Sequence, residues 1–541
     1  MWSRLRSKSR RPPFLLHYRS AEWFIVTSIA IAIFSETLIY AIFIPVLPFA
    51  LVSRARVERD EVQRWTATLL AVHAGFQIAF SPLSGWIADR TSTRRGPLLL
   101  SYLLLAGATL LLMFGRSIGT FIAARALQGA AAAAGWTIGL ALLVDTVGVD
   151  QMGEASGWVS FSSNVGILSG PLLGGVLYEK AGYYSVFYMC LGIIALDIVL
   201  RLLIVEKRVA RRWLEEKRHT QSIDDAEKAD PQQGSPSPTS APVIEVKQGV
   251  PSSSVSNLDS TSHDSITPQP PPPPPAEESP SRVPDQTTES NTPTQPPHTT
   301  PHPPAIWTIL TSKRILVPLW AALVAATIST SFDTILPIRV ANLFHFNSLG
   351  AGLIFLAIII PTLASALVGK LTDRLGARLI TTAGFLVLSP TLVCLRFVDH
   401  DSVAQKALLC ALLAVCGAAS SMLLVPVMAE VAHCVESAQK MHPERFGAQG
   451  AFAQGYGVMN GIYAVGTLVG PIWSGFMIDG TDWATTTWTL GLLAGVTAIP
   501  MFLLLGGWVG RRGWKAELLS PESEGVRKDR ESKALVAVEK V

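Results

Sequence analysis

Gly85-Trp-Ile-Ala-Asp89-Arg90-Thr-Ser-Thr-Arg94-Arg95 closes one long apolar segment near the start of the chain, and Gly369-Lys-Leu-Thr-Asp373-Arg374-Leu-Gly376-Ala-Arg378 closes another far downstream. A second pair follows each of them. Gly166-Ile-Leu-Ser-Gly170-Pro171-Leu-Leu-Gly174-Gly175 is answered by Gly466-Thr-Leu-Val-Gly470-Pro471-Ile-Trp-Ser-Gly475. Apolar helices that repeat in this way, with charges held at their ends, imply two matching halves of a secondary transporter.

Composition agrees. Of 541 residues, 49% are hydrophobic and 16% charged, and the mean hydropathy is +0.36. A soluble domain carries about 25% charged residues, so this chain reads as one that faces lipid. A spanning helix needs about 20 mostly apolar residues. Twelve such segments occur, at about 22–47, 64–86, 97–115, 119–145, 156–178, 184–205, 314–339, 349–370, 378–397, 405–432, 450–477 and 484–510. The expected fold is an all-α membrane protein of twelve transmembrane helices in two six-helix bundles, over residues 22–205 and 306–510. The first apolar run is too long for a cleaved signal peptide and is expected to span. A net charge of +4 is too small to point to nucleic acid. Five cysteines without CxxC spacing read as small core residues, with no metal site.

Residues 206–305 are rich in Pro, Ser, Thr, Gln and charge, including the run Pro270 to Pro275. Such a segment cannot bury enough apolar surface to offset its ordering entropy, so it is expected to be a disordered cytoplasmic linker. Basic residues set the orientation. Arg90, Arg94 and Arg95 follow span two, Lys207 and Arg208 follow span six, Arg374 and Arg378 follow span eight, and Arg511 and Arg512 follow span twelve. These four even-numbered exits are basic, so the tails 1–21 and 511–541 are expected on the cytoplasmic side.

Twelve spans as six plus six, with Gly-x-x-x-Asp-Arg-x-x-x-Arg after spans two and eight, resemble the major facilitator superfamily. The resemblance implies that Gly85, Asp89, Arg90 and Arg94, with Asp373, Arg374 and Arg378, form a cytoplasmic gate that latches one state of a rocking cycle. An acid at a helix end can engage the N-terminus of a neighbouring helix, which is the physical basis of such a latch. Span five, with Gly166, Gly170, Pro171, Gly174 and Gly175, resembles the signature helix of drug:proton antiporters. Its small residues permit close helix approach. In span four, Arg125-Ala-Leu-Gln128-Gly129 is similar to the antiporters' Arg-x-x-Gln-Gly. A guanidinium inside a span costs at least ~2.5–3.5 kcal/mol unless partnered, so Arg125 is expected in a cavity or a hydrogen-bonded cluster.

Three further ionisable positions lie within spans: Glu36, His73 (four residues before Gln77) and Asp333. Their contexts resemble the vesicular monoamine transporters and their fungal relatives. Carried over, Glu36 anchors a cationic or polar substrate, and Asp333 with His73 serves proton exchange. The animal proteins have an Asp in span eleven where Asn460 stands here, and their span-ten Asp is replaced by small residues near Ala419 and Ser420. Asn carries no proton, so a proton route is expected to rest on Glu36 and Asp333, with Glu430 a further candidate. Asp197 and Arg201, one turn apart in span six, are expected to form a local salt bridge.

No Walker loop, metal-ligand cluster or nucleophile elbow occurs, and no enzyme activity or cofactor is expected. The expected protein is a monomeric proton-coupled exporter of small amphipathic organic molecules (drugs, toxins, secondary metabolites or amines), integral to a plasma, vacuolar or vesicle membrane. A facilitative uniporter and a non-transporting receptor or scaffold of the same fold are the alternatives.

Overall fold

In the computed structural model, residues 15–207, 209–211, 213, 305–346, 348–441, 446 and 450–507 are described. Residues 1–14 of the first tail, all of the expected C-terminal tail and nearly all of the expected linker lie outside them. Residues 1–217 and 302–541 form one unit, and 218–301 a second that falls wholly outside the described residues.

The first half comprises α1 (Glu22–Ser53), α2 (Val62–Arg90), α3 (Arg95–Phe114), α4 (Ile118–Val147), α5 (Met152–Ala181) and α6 (Tyr183–Leu203). The second comprises α7 (Lys313–Phe344), α8a (Ser348–Thr362), α8b (Ser365–Leu375), α9 (Ala377–Cys394), α10 (Val403–Met441), α11 (Phe452–Gly480) and α12 (Trp483–Leu504). Eleven of the spans are apolar enough to cross a membrane by composition. The other, α5, is long enough but is diluted by glycine and serine. Those small residues serve packing between helices rather than contact with lipid.

Several expected boundaries move, spans seven and eight ending five residues later and span twelve six residues earlier. Helix α1 runs to Ser53, through Pro45 and Pro48, and α10 runs to Met441. Span eight breaks after Pro361, whose missing N–H ends the i→i−4 ladder; Leu363 and Ala364 instead bond to Ile360 and Pro361 in a tight turn. Helix α2 passes Pro82 unbroken, with the Ser81 hydroxyl donating to the Gln77 carbonyl at 2.6 Å. Abrupt reversals need left-handed backbone, and Gly148, Gly182 and Gly376 supply it with φ of 83°, 82° and 85°.

The glycine faces pack as the spacing demands. A side chain at Gly166, Gly170 or Gly174 would collide with Thr37, Ala41 or Ile42 of α1. One at Gly466 or Gly470 would collide with Ala326 or Thr330 of α7. The Thr37 hydroxyl donates to the Ser163 carbonyl (3.2 Å) and that of Ser331 to the Gly470 carbonyl (3.1 Å), tying each pair further. Gly175 departs from the expected face: nothing lies within 4 Å of its missing side chain, and Pro171 is exposed. All five cysteines are free, with Cys190, Cys416 and Cys434 buried and Cys410 exposed.

Candidate functional site

The halves meet where α2 and α4 pack on α11, and where α5 packs on α8b and α10. Three tiers of polar groups follow from that contact.

The first tier lies at the end that carries the repeated motif. Asp89, at the end of α2, accepts from the backbone N–H of Ala453 (3.2 Å) and Gln454 (2.8 Å) in the first turn of α11. Asp373, at the end of α8b, accepts from Gly153 and Glu154 in the first turn of α5, both at 2.7 Å. Each carboxylate thus satisfies N–H groups that a helix start leaves without intrahelical partners, and sits at the positive end of its dipole. Gly85 and Gly369 make the approach possible: a side chain there would meet the carbonyls of Ala453 and Gly153. Arg94 reaches both Asp89 (2.8 Å) and Asp145 (3.1 Å). Burial opposes its charge, but Asp145 and Asp89 more than offset that and raise its pKa.

Other motif residues are placed differently from the expected gate. Arg90 turns outward over the Trp86 ring at 3.9 Å, and Arg374 is exposed with no ion pair or hydrogen bond among the described residues. Arg378 donates to the carbonyls of Leu505 (2.6 Å) and Gly507, beyond the end of α12, rather than to an acid. Glu430, expected as a further member of a proton route, is paired with Arg314 at 3.0 Å near the same end.

The second tier bridges the halves deeper in. Gln77 of α2 donates to the Asn460 side-chain oxygen at 3.2 Å, and the Asn460 amide donates to Ser81 at 2.9 Å. These two residues, both expected at the substrate or proton site, are bonded to each other. Across the other seam, Asn164 of α5 donates to the Thr362 carbonyl at 3.2 Å, beside the break in span eight.

The third tier holds the intramembrane charges. Glu36 is half-buried and receives a side-chain hydrogen bond from Trp136, while its Oε2 has no partner. Asp333 is exposed, and no ion pair or hydrogen bond to it is formed among the described residues. Asp333 and His73, both expected to serve proton exchange, do not bond to each other. His73 lies instead against Tyr40, ring centroids 5.1 Å apart, and its backbone carbonyl faces Gly129. Arg125 is fully buried; its Nη1 donates to Gln128 at 2.6 Å and its guanidinium lies 5.6 Å from the Tyr40 ring centre. Tyr40 stands within electrostatic reach of Arg125, Asp333 and Glu36 at once.

In α6, the expected Asp197–Arg201 salt bridge does not form. Arg201 donates to the Ser28 carbonyl of α1 at 2.9 Å. The fold places the guanidinium on a carbonyl of the neighbouring helix rather than on the same-helix acid one turn away.

Several groups escaped motif reading. Asp145 is the third member of the Asp89–Arg94 latch. Glu206 is buried and accepts from the Arg95 N–H at 2.8 Å; burial raises its pKa against that bond. Acids near span ends were legible, but no local signal names their partners.

The sequence model of the Major Facilitator Superfamily matches residues 29–441 and 320–537. An uncharacterized MFS-type transporter of Schizosaccharomyces pombe is 32% identical over 87% of this chain and 93% of its own. The class B tetracycline resistance protein of Escherichia coli is 30% identical over a shorter stretch, 34% of this chain and 42% of its own. Among solved structures, the human organic anion transporter MFSD10 superposes with a TM-score of 0.57 at 14% identity, over 91% of this chain and 100% of that one.

Proposed function

Given that the chain belongs to the major facilitator superfamily, and is an integral membrane transporter rather than an enzyme, we propose that it is a proton-coupled antiporter exporting amphipathic organic molecules by alternating access. The observation that carries this reading is the pair Glu36 and Asp333. They sit on α1 and α7, one in each half, and neither forms an ion pair among the described residues. A carboxylate in a low-dielectric interior favours its neutral form unless a cation neutralises it. Proton and cationic or polar substrate can therefore alternate on the same acids, which is the stoichiometric basis of exchange.

Around those acids lie Tyr40, Trp136 and Tyr463, which suit flat or cationic ligands. The partial likeness to a tetracycline resistance protein supports the export direction. The arrangement fits a conformer closed at the motif end by Asp89 and Asp373. On the basic-residue pattern that end is cytoplasmic, and the protein works as a monomer in a plasma, vacuolar or vesicle membrane.

The test is efflux from proteoliposomes holding the full chain under an imposed pH gradient. Dissipating the gradient should collapse efflux, and Glu36→Gln should abolish it. Undiminished efflux without a gradient would identify a facilitative uniporter instead.

A further inference from the structure

The end of the molecule away from the motif carries one construction twice. In the first half, Arg54 follows the last turn of α1. Its Nη2 donates to the Met113 carbonyl at the end of α3 (3.2 Å) and to the Tyr184 hydroxyl at the start of α6 (2.5 Å). The guanidinium lies 4.8 Å from the centres of both the Tyr183 and Tyr184 rings. The Tyr183 hydroxyl in turn donates to the Leu112 carbonyl of α3 at 2.6 Å. In the second half, Arg339 of α7 donates through Nη2 to the Val398 carbonyl, beyond the end of α9, at 2.6 Å. Its guanidinium lies 5.3 Å from the centre of the Trp483 ring, and the Trp483 Nε1–H donates to the Leu395 carbonyl at 2.9 Å.

Tyr183 and Trp483 each open the last helix of their half, and they keep the spacing of Pro171 and Pro471. The arginines keep no such spacing, since Arg54 caps α1 whereas Arg339 lies within α7. Two different registers thus arrive at one arrangement. A cation from the first helix of the half lies over an aromatic ring of the sixth, and both donate to carbonyls at the end of the third. Each clamp also sits past a weak point of its helix. Helix α1 contains Pro45 and Pro48, and α7 contains Pro337. A proline removes one i→i−4 bond and lets a helix bend there; at Pro337 the carbonyl left over is that of Asp333.

We propose that these two arginine–aromatic clamps fasten the far ends of α1 and α7 to their own halves, so that each end swings with its half rather than bending at its prolines. This rests on the reading of two halves that rock. Both arginines are half-buried, where a cation gains more from a ring face than it does in open water. A charged donor also binds a carbonyl more strongly than a neutral one does. A bend at Pro45, Pro48 or Pro337 would draw the guanidinium away from ring and carbonyl at once. With the ends held, the turns that carry Glu36 and Asp333 keep their places within their own bundles.

The experiment is hydrogen exchange of the full chain in phosphatidylcholine vesicles, read by mass spectrometry over residues 49–53 and 338–344. Arg54→Leu should speed exchange in 49–53 by about tenfold and leave 338–344 unchanged, and Arg339→Leu should do the converse. The first turns of α5 and α11 should exchange as in the unaltered chain. Tyr183→Leu should act on the same stretch as Arg54→Leu, and combining the two should add little, because they share one contact. Unchanged exchange in both arginine variants, an equal rise in both halves, a rise that reaches the first turns of α5 and α11, or full additivity overturns the proposal. Should Arg54→Leu not fold, Tyr184→Phe decides for the first half, since it removes only the hydroxyl to which Arg54 donates. A rise of about two- to tenfold confined to 49–53 then supports the clamp, and no rise refutes it. The measurement needs neither substrate nor gradient, so its failure is distinguishable from failure of the antiport reading, which the efflux assay tests.

Discussion

The two seams between the halves share a backbone plan but not a charge plan. In the α2–α11 seam, Gly85 abuts Ala453 and Gly457 abuts the Ser81 carbonyl; in the α8b–α5 seam, Gly369 abuts Gly153 and Gly157 abuts the Ser365 carbonyl. An aspartate ends each of α2 and α8b and holds two N–H groups of the helix opposite. Beyond that the resemblance stops. Asp89 is only 7% exposed and is locked to Arg94, itself tied to Asp145. Asp373 is exposed, and the arginine at the matching place, Arg378, serves the carbonyl end of α12. Helix α2 is continuous, whereas its counterpart is broken beside the Asn164–Thr362 bond. On these contacts the α2–α11 seam is expected to be the stiffer one and the α8b–α5 seam to yield first.

The largest effect should come from neutralising the two aspartates in turn. Removing one partner of a buried pair costs on the order of 3–5 kcal/mol, softened here because Asp145 still holds Arg94. Asp89→Asn should lower turnover more than about tenfold, and Asp373→Asn by about threefold, consistent with the smaller worth of an exposed carboxylate. Both should leave the protein in the membrane and speed labelling of a cysteine placed near the motif end. Equal effects would mean that burial does not rank the seams.

A middle-sized effect is expected from the amides. A net hydrogen bond is worth about 0.5–1.5 kcal/mol, or about two- to tenfold in a conformational equilibrium. Asn460→Ala loses two bonds and Asn164→Ala one, so motif-end accessibility should rise more in the first. The reverse order in hydrogen exchange or labelling would break the proposed ranking. Smallest is Lys370→Ala, which removes an exposed pair with Glu154 at 3.4 Å across the yielding seam. Such a pair contributes about 0–1 kcal/mol, so turnover should change less than about threefold, and less still at high salt. A tenfold loss would show that this seam relies on side-chain charge after all.

Much of this architecture was legible in the residues. The apolar segments, the doubled Gly-x-x-x-Asp-Arg pattern and the small-residue faces are local features, and each appears where its spacing puts it. Glu36, Asp333 and Arg125 were legible as well, since a charge inside an apolar run marks itself. Their partners were not. Asp333 and His73 were expected to share a role in proton exchange, and only the fold shows that the His73 ring packs on Tyr40. Asn460 looked like a lost proton site and is half of a bridge between halves.

The sequence by itself determined two repeated halves, helices with one smooth face, and acids at matching helix ends, because these depend on periodicity and side-chain size along one element. Only the tertiary structure decided who meets whom. Gly166, Gly170 and Gly174 recur every four residues and so share a ridge, while Gly175 lies one residue on, about 100° around the helix, and leaves the contact. Arg94 and Arg378 occupy the same place in the same motif, yet one finds Asp145 and the other a row of carbonyls. Their partners come from helices remote in sequence, whose rotation and register are set by packing of the whole bundle, and a charge binds whatever that packing brings within about 3 Å.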